Sequence, residues 1–168
     1  PSVVAPTWSS ANLLITLDNS TANVLFCIGT IADMAPLLGA NRKWLKESLP
    51  KISKCRNSGI KAILKKFDFV DNGITTNDIG FKIAPLINAV GRIDDPKLII
   101  DLLTSNSDRE SNKLANKCIA LNKLRRKITL YVEHEAEEII KKTKDNKIKF
   151  LVVSKNDWHV GVIGIVAA

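Results

Sequence analysis

Apolar positions along this chain follow two rhythms, one of short unbroken runs and one of helical spacing. Residues 13–17 (Leu-Leu-Ile-Thr-Leu) and 24–28 (Val-Leu-Phe-Cys-Ile) have the length and side-chain types of buried strands. The first run ends in Asp18-Asn19-Ser20, which is turn chemistry, and the second leads into Gly29-Thr30-Ile31-Ala32-Asp33. Residues 42–49 and 60–66 carry helical spacing, interrupted at Pro50 and at Ser58-Gly59. Thr76-Asn77-Asp78 predicts a short helix through Ile79 and Phe81. Asp94-Asp95-Pro96, followed by the apolar run 98–103, predicts a helix with an acidic cap and proline in its first turn.

The longest periodic segment opens at Ser107-Asp108, with Glu110 placed as in a capping box. Leu114, Cys118, Leu121, Ile128, Val132, Ala136 and Ile139 recur at threes, fours and their multiples to about residue 144. That predicts a single helix of about nine turns at ~3.6 residues per turn. Its apolar stripe is narrow and its other faces are charged, the pattern of a helix that bridges two lobes. Asp145-Asn146-Lys147 ends it. A strand is expected at 149–153, then a polar turn, then a helix whose Gly161 and Gly164 bring it close to another backbone.

Composition narrows the class. An apolar fraction of 45% with 25% charged residues is globular. No apolar run approaches the ~20 residues that span a bilayer, so no membrane role is expected. The chain begins at Pro1 and ends at Ala168 inside an apolar run, which leads us to expect a piece of a longer protein. Cys27, Cys55 and Cys118 are odd in number and scattered, which fits reduced thiols in a cytoplasmic protein better than a zinc site. Lys and Arg exceed Asp and Glu by 25 to 17, a net charge of +8. Such a surplus suits a polyanionic partner, although lysine-rich usage spread over the whole chain would give the same balance.

Four segments in order give this pattern a family. They are Leu14-Ile15-Thr16-Leu17-Asp18-Asn19; Gly29-Thr30-Ile31-Ala32-Asp33-Met34-Ala35-Pro36-Leu37; Gly80-Phe81-Lys82-Ile83-Ala84-Pro85-Leu86-Ile87-Asn88-Ala89-Val90-Gly91-Arg92; and Trp158-His159-Val160-Gly161-Val162-Ile163-Gly164-Ile165-Val166-Ala167. Asn41-Arg42 and Leu121-Asn122-Lys123-Leu124-Arg125 fit as well. Together they resemble the RecJ-type single-stranded-DNA exonucleases of the DHH phosphoesterase superfamily. The resemblance implies an α/β fold: an incomplete DHH-type parallel-sheet lobe over 1–106, a long connecting helix over 107–145, and the start of a second α/β lobe, of DHHA1 type, over 146–168.

The same resemblance assigns residues. Asp18 and Asp33 match aspartates that help bind a pair of divalent cations, Mn²⁺ or Mg²⁺, and hard cations of this kind prefer carboxylate oxygen. Read without the family, Asp18 is a strand-end turn residue and Asp33 a helix N-cap. Asn88 and Arg92 fall beside the active cleft, where a guanidinium fork suits phosphate. Leu86 departs from the arginine common at its position. His159 becomes a substrate-cleft residue without an assigned role, and Gly161 and Gly164 mark close backbone packing or amides that face phosphate. His134, among glutamates, reads as a solvated surface residue.

Important parts of the family pattern are missing. No adjacent histidine pair exists, so the Asp-His-His triplet is absent and no catalytic residue set is intact. Only Asn19 to Asn23 separate the two strand candidates, whereas a parallel crossover needs about a dozen residues or more. An internal segment missing near 19–24 is therefore expected. The function implied is metal-dependent 5′-to-3′ hydrolysis of single-stranded DNA in repair and recombination, carried by the intact family member. One alternative is a non-catalytic nucleic-acid-binding module of the same family. Another is a different DHH phosphoesterase, an oligoribonuclease or a cyclic-dinucleotide hydrolase. Single-stranded DNA is the expected partner, and the sequence does not identify replication or repair proteins.

Overall fold

A computed structural model describes residues 19–69, 73–143 and 151–168, and every regular element among them is helical. The order is α1 (Asn19–Ala32), α2 (Gly39–Ser48), a 3₁₀ segment (Leu49–Lys54), α3 (Ser58–Lys65) and α4 (Thr76–Asp78). A π-helical segment (Ile79–Ile83) joins α4 to α5 (Ala84–Ile93), followed by α6 (Lys97–Thr104), α7 (Asp108–Lys142) and α8 (Val160–Val166). The run 13–17 and Asp18 lie outside the described residues.

The strand expected at 24–28 is corrected: these residues belong to α1. Thr21, Val24, Cys27 and Ile28 are buried while Leu25 and Phe26 are only partly so, a helical stripe and not the burial of a strand. Phe26 meets Trp44 of α2 edge-on, with ring centroids 5.4 Å apart. The chain passes through 19–24 as continuous helix, so the connector argument for a missing segment there loses its premise. The strand expected at 149–153 does not form over 151–153 either, and Phe150 lies outside the described residues. Val152 is 92% exposed, and no neighbouring strand among the described residues offers a ladder to pair with.

Helix boundaries follow the local chemistry. Asn57 caps α3, its Oδ1 accepting from the Ile60 N–H at 2.9 Å. Thr75 and Asp78 form a reciprocal capping box one residue before the expected start. Asp95 Oδ1 accepts from the Lys97 N–H at 2.8 Å, so the acidic cap expected for α6 is formed. Ser107 caps α7 through the Glu110 N–H. The π segment ends at Ile83, two residues before Pro85. A proline there cannot donate to the preceding turn, and its ring crowds the carbonyl four residues back. The wider turn, with the Ala84 N–H reaching the Ile79 carbonyl, accommodates both.

α7 runs unbroken for 35 residues, roughly 50 Å at ~1.5 Å per residue. Its first half buries Ser111, Ala115, Cys118 and Asn122 at helical spacing, against α3, α5 and α6. Its second half buries Val132 and packs on α8. Between these stretches Leu130 and Tyr131 are exposed. The main core is completed by Ile79, Ile83, Leu86 and Val90 from the π segment and α5, and by Ile60 and Ile63 from α3. Leu86 is fully buried and serves packing.

α3 and α6 meet almost backbone to backbone. A Cβ on Gly59 would overlap the Leu102 carbonyl, and beside it the Asn57 side-chain amide donates to the Leu103 carbonyl at 2.7 Å. Gly59→Ala should therefore lower stability by about 1–3 kcal/mol, the usual penalty of overpacking. Gly29→Ala, where a Cβ meets nothing within 4 Å on a helix interior, should raise it by about 0.5–1 kcal/mol. Urea midpoints of the two variants check both signs.

Candidate nucleic-acid interface

Three elements meet at one place: the C-terminal end of α5, the middle of α7 and the start of α8. Arg92, on the last turn of α5, donates from Nη1 to the Gly161 carbonyl at 3.2 Å, across 69 residues of sequence. Gly161 in turn lies so close to α5 that a Cβ there would overlap the Arg92 carbonyl. Only glycine allows this approach. The Gly161 N–H is used locally, donating to His159 Nδ1 at 3.1 Å, so His159 is the N-cap of α8. This bond requires an unprotonated Nδ1.

Asn88 lies one turn before Arg92. Both line an open depression of about 620 Å³ with Ile87, Gly91 and the α6 residues Pro96, Ile99 and Ile100. Asn88 and Arg92 are exposed at its rim. Just beyond, Asp94 pairs with Lys117 of α7 at 2.9 Å, and this pairing holds the Asp94 carboxyl below the usual carboxylate range. The α5–α7 crossing is thereby pinned beside Arg92.

Gly164, expected to mark close packing or a phosphate-facing amide, has nothing within 4 Å of where its Cβ would stand. Asp33 is exposed and caps the C-terminus of α1, where the sequence in isolation suggested an N-cap. Met34 follows with a positive φ of 50°, and the Ala35 N–H returns to the Thr30 carbonyl at 3.0 Å. A carboxylate at the negative end of a helix dipole and a left-handed methionine both cost stability. The loop beyond is held by the Asn41 side-chain amide, which donates to the Pro36 carbonyl at 3.2 Å. Among the described residues no three His, Cys, Asp or Glu side chains gather as a metal site requires. Asp33 alone does not fit a two-cation site, and Asp18 lies outside the described residues. His134 is exposed.

Sequence reasoning passed over Glu135, which organises the second half of α7. Its Oε2 accepts from the Trp158 indole N–H at 2.8 Å, and its Oε1 accepts from Lys155 at 2.5 Å and from the Tyr131 hydroxyl at 2.7 Å. These bonds, that from Lys155 foremost, pull its carboxyl down to about 2. They fasten the segment leading to His159 onto α7. The available signal was a tryptophan, Trp158, following a long helix rich in glutamate. Below this anchor, Val132, Ala136 and Ile140 of α7 face Leu151, Ile163 and Val166 across an apolar cleft of about 280 Å³.

No family model matches the chain. Over 149 residues it is 35% identical to the single-stranded-DNA-specific exonuclease RecJ of Escherichia coli K12, with 86% of this chain and 26% of that protein covered. Over 144 residues it is 34% identical to RecJ of Bacillus subtilis 168, covering 86% of this chain and 18% of the relative. The fold is similar to the crystal structure of RecJ from Thermus thermophilus in complex with Mg²⁺, with TM-score 0.76, 28% identity, and 92% of this chain and 24% of that one covered. It is also similar to the crystal structure of an exonuclease RecJ bound to manganese, with TM-score 0.77, 28% identity, and 89% and 37% covered. The chain spans about a quarter or less of the length of these curated relatives.

The Glu135 anchor has a pH signature. Its carboxyl titrates at about 2 when folded against an ordinary 4.5, so the unfolded chain takes up the proton first as pH falls. Its stabilising effect is complete above about pH 4.5 and fades towards about pH 2. Protection of the Trp158 indole proton from solvent exchange should weaken over that window. In Glu135→Gln protection should be lower throughout and flat with pH.

Proposed function

We propose that this chain, a homologue of the RecJ single-stranded-DNA exonucleases, supplies a nucleic-acid-gripping part of such an enzyme. The observation that carries the reading is the Arg92–Gly161 contact. Two segments that resemble the family, 69 residues apart at the contact, meet there, with Asn88 at the rim of the same depression. In this reading residues 1–106 belong to the α/β DHH-type lobe, whose helices the described residues provide. Residues 107–145 are the connecting helix, and 146–168 begin the DHHA1-type lobe. The continuity of α7 from Asp108 to Lys142 supports that division.

The activity proposed for the whole RecJ-type protein is 5′-to-3′ hydrolysis of single-stranded DNA in repair and recombination. Mn²⁺ or Mg²⁺ would polarise the scissile phosphate and activate water. We place it in the cytoplasm. No helix among the described residues is long and apolar enough to cross a membrane. Asp33 is offered as one cation ligand, and its stability cost at a helix C-terminus fits a residue kept for function. Asp18 is offered as the second. A non-catalytic nucleic-acid-binding role for this polypeptide stands as the second reading, because the sequence contains no adjacent histidine pair.

Two outcomes test these readings. The chain should bind single-stranded oligonucleotides weakly, with log affinity falling linearly against log salt by ~0.7 per phosphate contacted. Arg92→Ala should weaken binding alike for oligo-dT, oligo-dA and mixed sequences, since phosphate carries no sequence information. Sequence-selective loss, or none, would sink the phosphate assignment. In excess Mn²⁺, 5′-labelled single-stranded DNA should remain intact, because the ligand set for two cations is incomplete. Mononucleotide release that disappears in Asp33→Ala would show the site is assembled some other way.

A further inference from the structure

The depression rimmed by Asn88 and Arg92 has an apolar floor. Ile87 of α5 and Ile99 and Ile100 of α6 are half-buried in it, and Pro96 stands at the seam between the two helices. Ile87 and Ile99 also pack against the main core, which fixes the floor in place. At about 620 Å³ the space falls within the ~300–1,000 Å³ of ordinary small-molecule sites. Its lining carries no acidic side chain, and its polar groups are one amide and one guanidinium, a helical turn apart on α5.

Gly91 lines the same depression from the last turn of α5, and the usual reasons for a glycine do not hold there. Its φ lies outside the left-handed region that ends many helices. Among the described residues no backbone atom crowds it, in contrast to Gly59 and Gly161, whose added Cβ atoms would overlap carbonyl groups. A Cβ on Gly91 would meet Pro96 Cβ at 3.9 Å, an ordinary contact. Alanine or leucine would therefore fit, and either favours a helix over glycine. What a side chain at this position would do is occupy the depression above Pro96. Glycine belongs where a ligand comes close to the backbone, and that reason remains.

We propose that the depression receives one base of a single-stranded nucleic acid, laid over Gly91 and Pro96, while Arg92 holds the adjoining phosphate. The proposal rests on the nucleic-acid reading of Arg92 and places the part of the nucleotide that a phosphate contact leaves unplaced. The occupant follows from the lining. A base is a flat ring whose faces gain from an apolar floor, and only an unstacked base is free to enter one. Its phosphate is the anion that suits a guanidinium at the rim. The Gly161 carbonyl engages Nη1 of Arg92, and the rest of the fork remains for that phosphate. The Asn88 amide carries both donors and an acceptor, so it can meet the edge of any base and leaves the site tolerant of sequence. The lining has no aromatic ring, so the base is held by apolar burial and not by stacking.

The test compares the full chain's affinity for a dT strand of about ten nucleotides with that for an abasic tetrahydrofuran strand of the same length, each over a range of salt. The unmodified chain should favour dT about fivefold, from burial of one base face. Gly91→Leu fills the depression and should cut that preference to below about twofold, with the salt slope kept and the urea midpoint kept or raised. Ile100→Asn, which makes the floor polar instead of filling the space, should lower the preference in the same way. Arg92→Ala should do the converse, reducing the salt slope by about 0.7 while the ratio of dT to abasic affinity is kept. Equal affinity for the two strands in the unmodified chain, or a preference that survives both Gly91→Leu and Ile100→Asn, would overturn the base site and leave the phosphate role of Arg92 standing. An unchanged salt slope in Arg92→Ala would bring down the nucleic-acid reading itself.

Discussion

The structure depends on how closely other helices can approach α7. The four residues buried along its first half, Ser111, Ala115, Cys118 and Asn122, are all short. Short side chains let α3, α5 and α6 come near the α7 backbone, and the large apolar volume is supplied by those partners through Ile60, Ile63, Leu86, Val90 and Leu102. Without that geometry α5 would stand further off, and Arg92 could not reach Gly161. The same logic recurs at the edges. Gly59 lets α3 meet α6, and Gly161 lets α8 meet α5. Close backbone approach, more than bulky interdigitation, sets the positions of the side chains at the candidate interface.

Much of the helical frame was legible. The period of α7, its Ser107 cap and the Asp95-Pro96 start of α6 could be read directly, because helix propagation and capping are local chemistry. Residues 24–28 were not legible as helix. An apolar run of five carries both periods, and only the burial of Thr21 beside Val24 and Cys27 settles the matter. Residues 151–153 show the converse failure. Their composition is strand-like, but a strand exists only with a partner, and partners are not a local property.

The candidate interface divides in the same way. Asn88 and Arg92 could be picked out by resemblance, and they share one rim. Their meeting with Gly161, 69 residues later, depends on the crossing of three helices and carries no signature in spacing. Glu135 is a residue of ordinary type in a charged run, and its importance comes wholly from the indole and ammonium groups that converge on it. Gly164 shows that a glycine pair in a sequence does not imply a pair of close contacts. One of the two has a crowded Cβ position and the other an open one.

The three cysteines are all free and buried, and burial raises the Cys27 and Cys118 thiols to about 11. Such thiols are almost wholly protonated at neutral pH and shielded from reagents, so alkylation can proceed only through transient opening. They are also spread over separate elements, Cys27 on α1, Cys55 just after the 3₁₀ segment and Cys118 on α7. The chain therefore carries three intrinsic clocks. Their relative labelling rates distinguish fraying of the α1 end of the core from release of the long helix, with no foreign probe introduced.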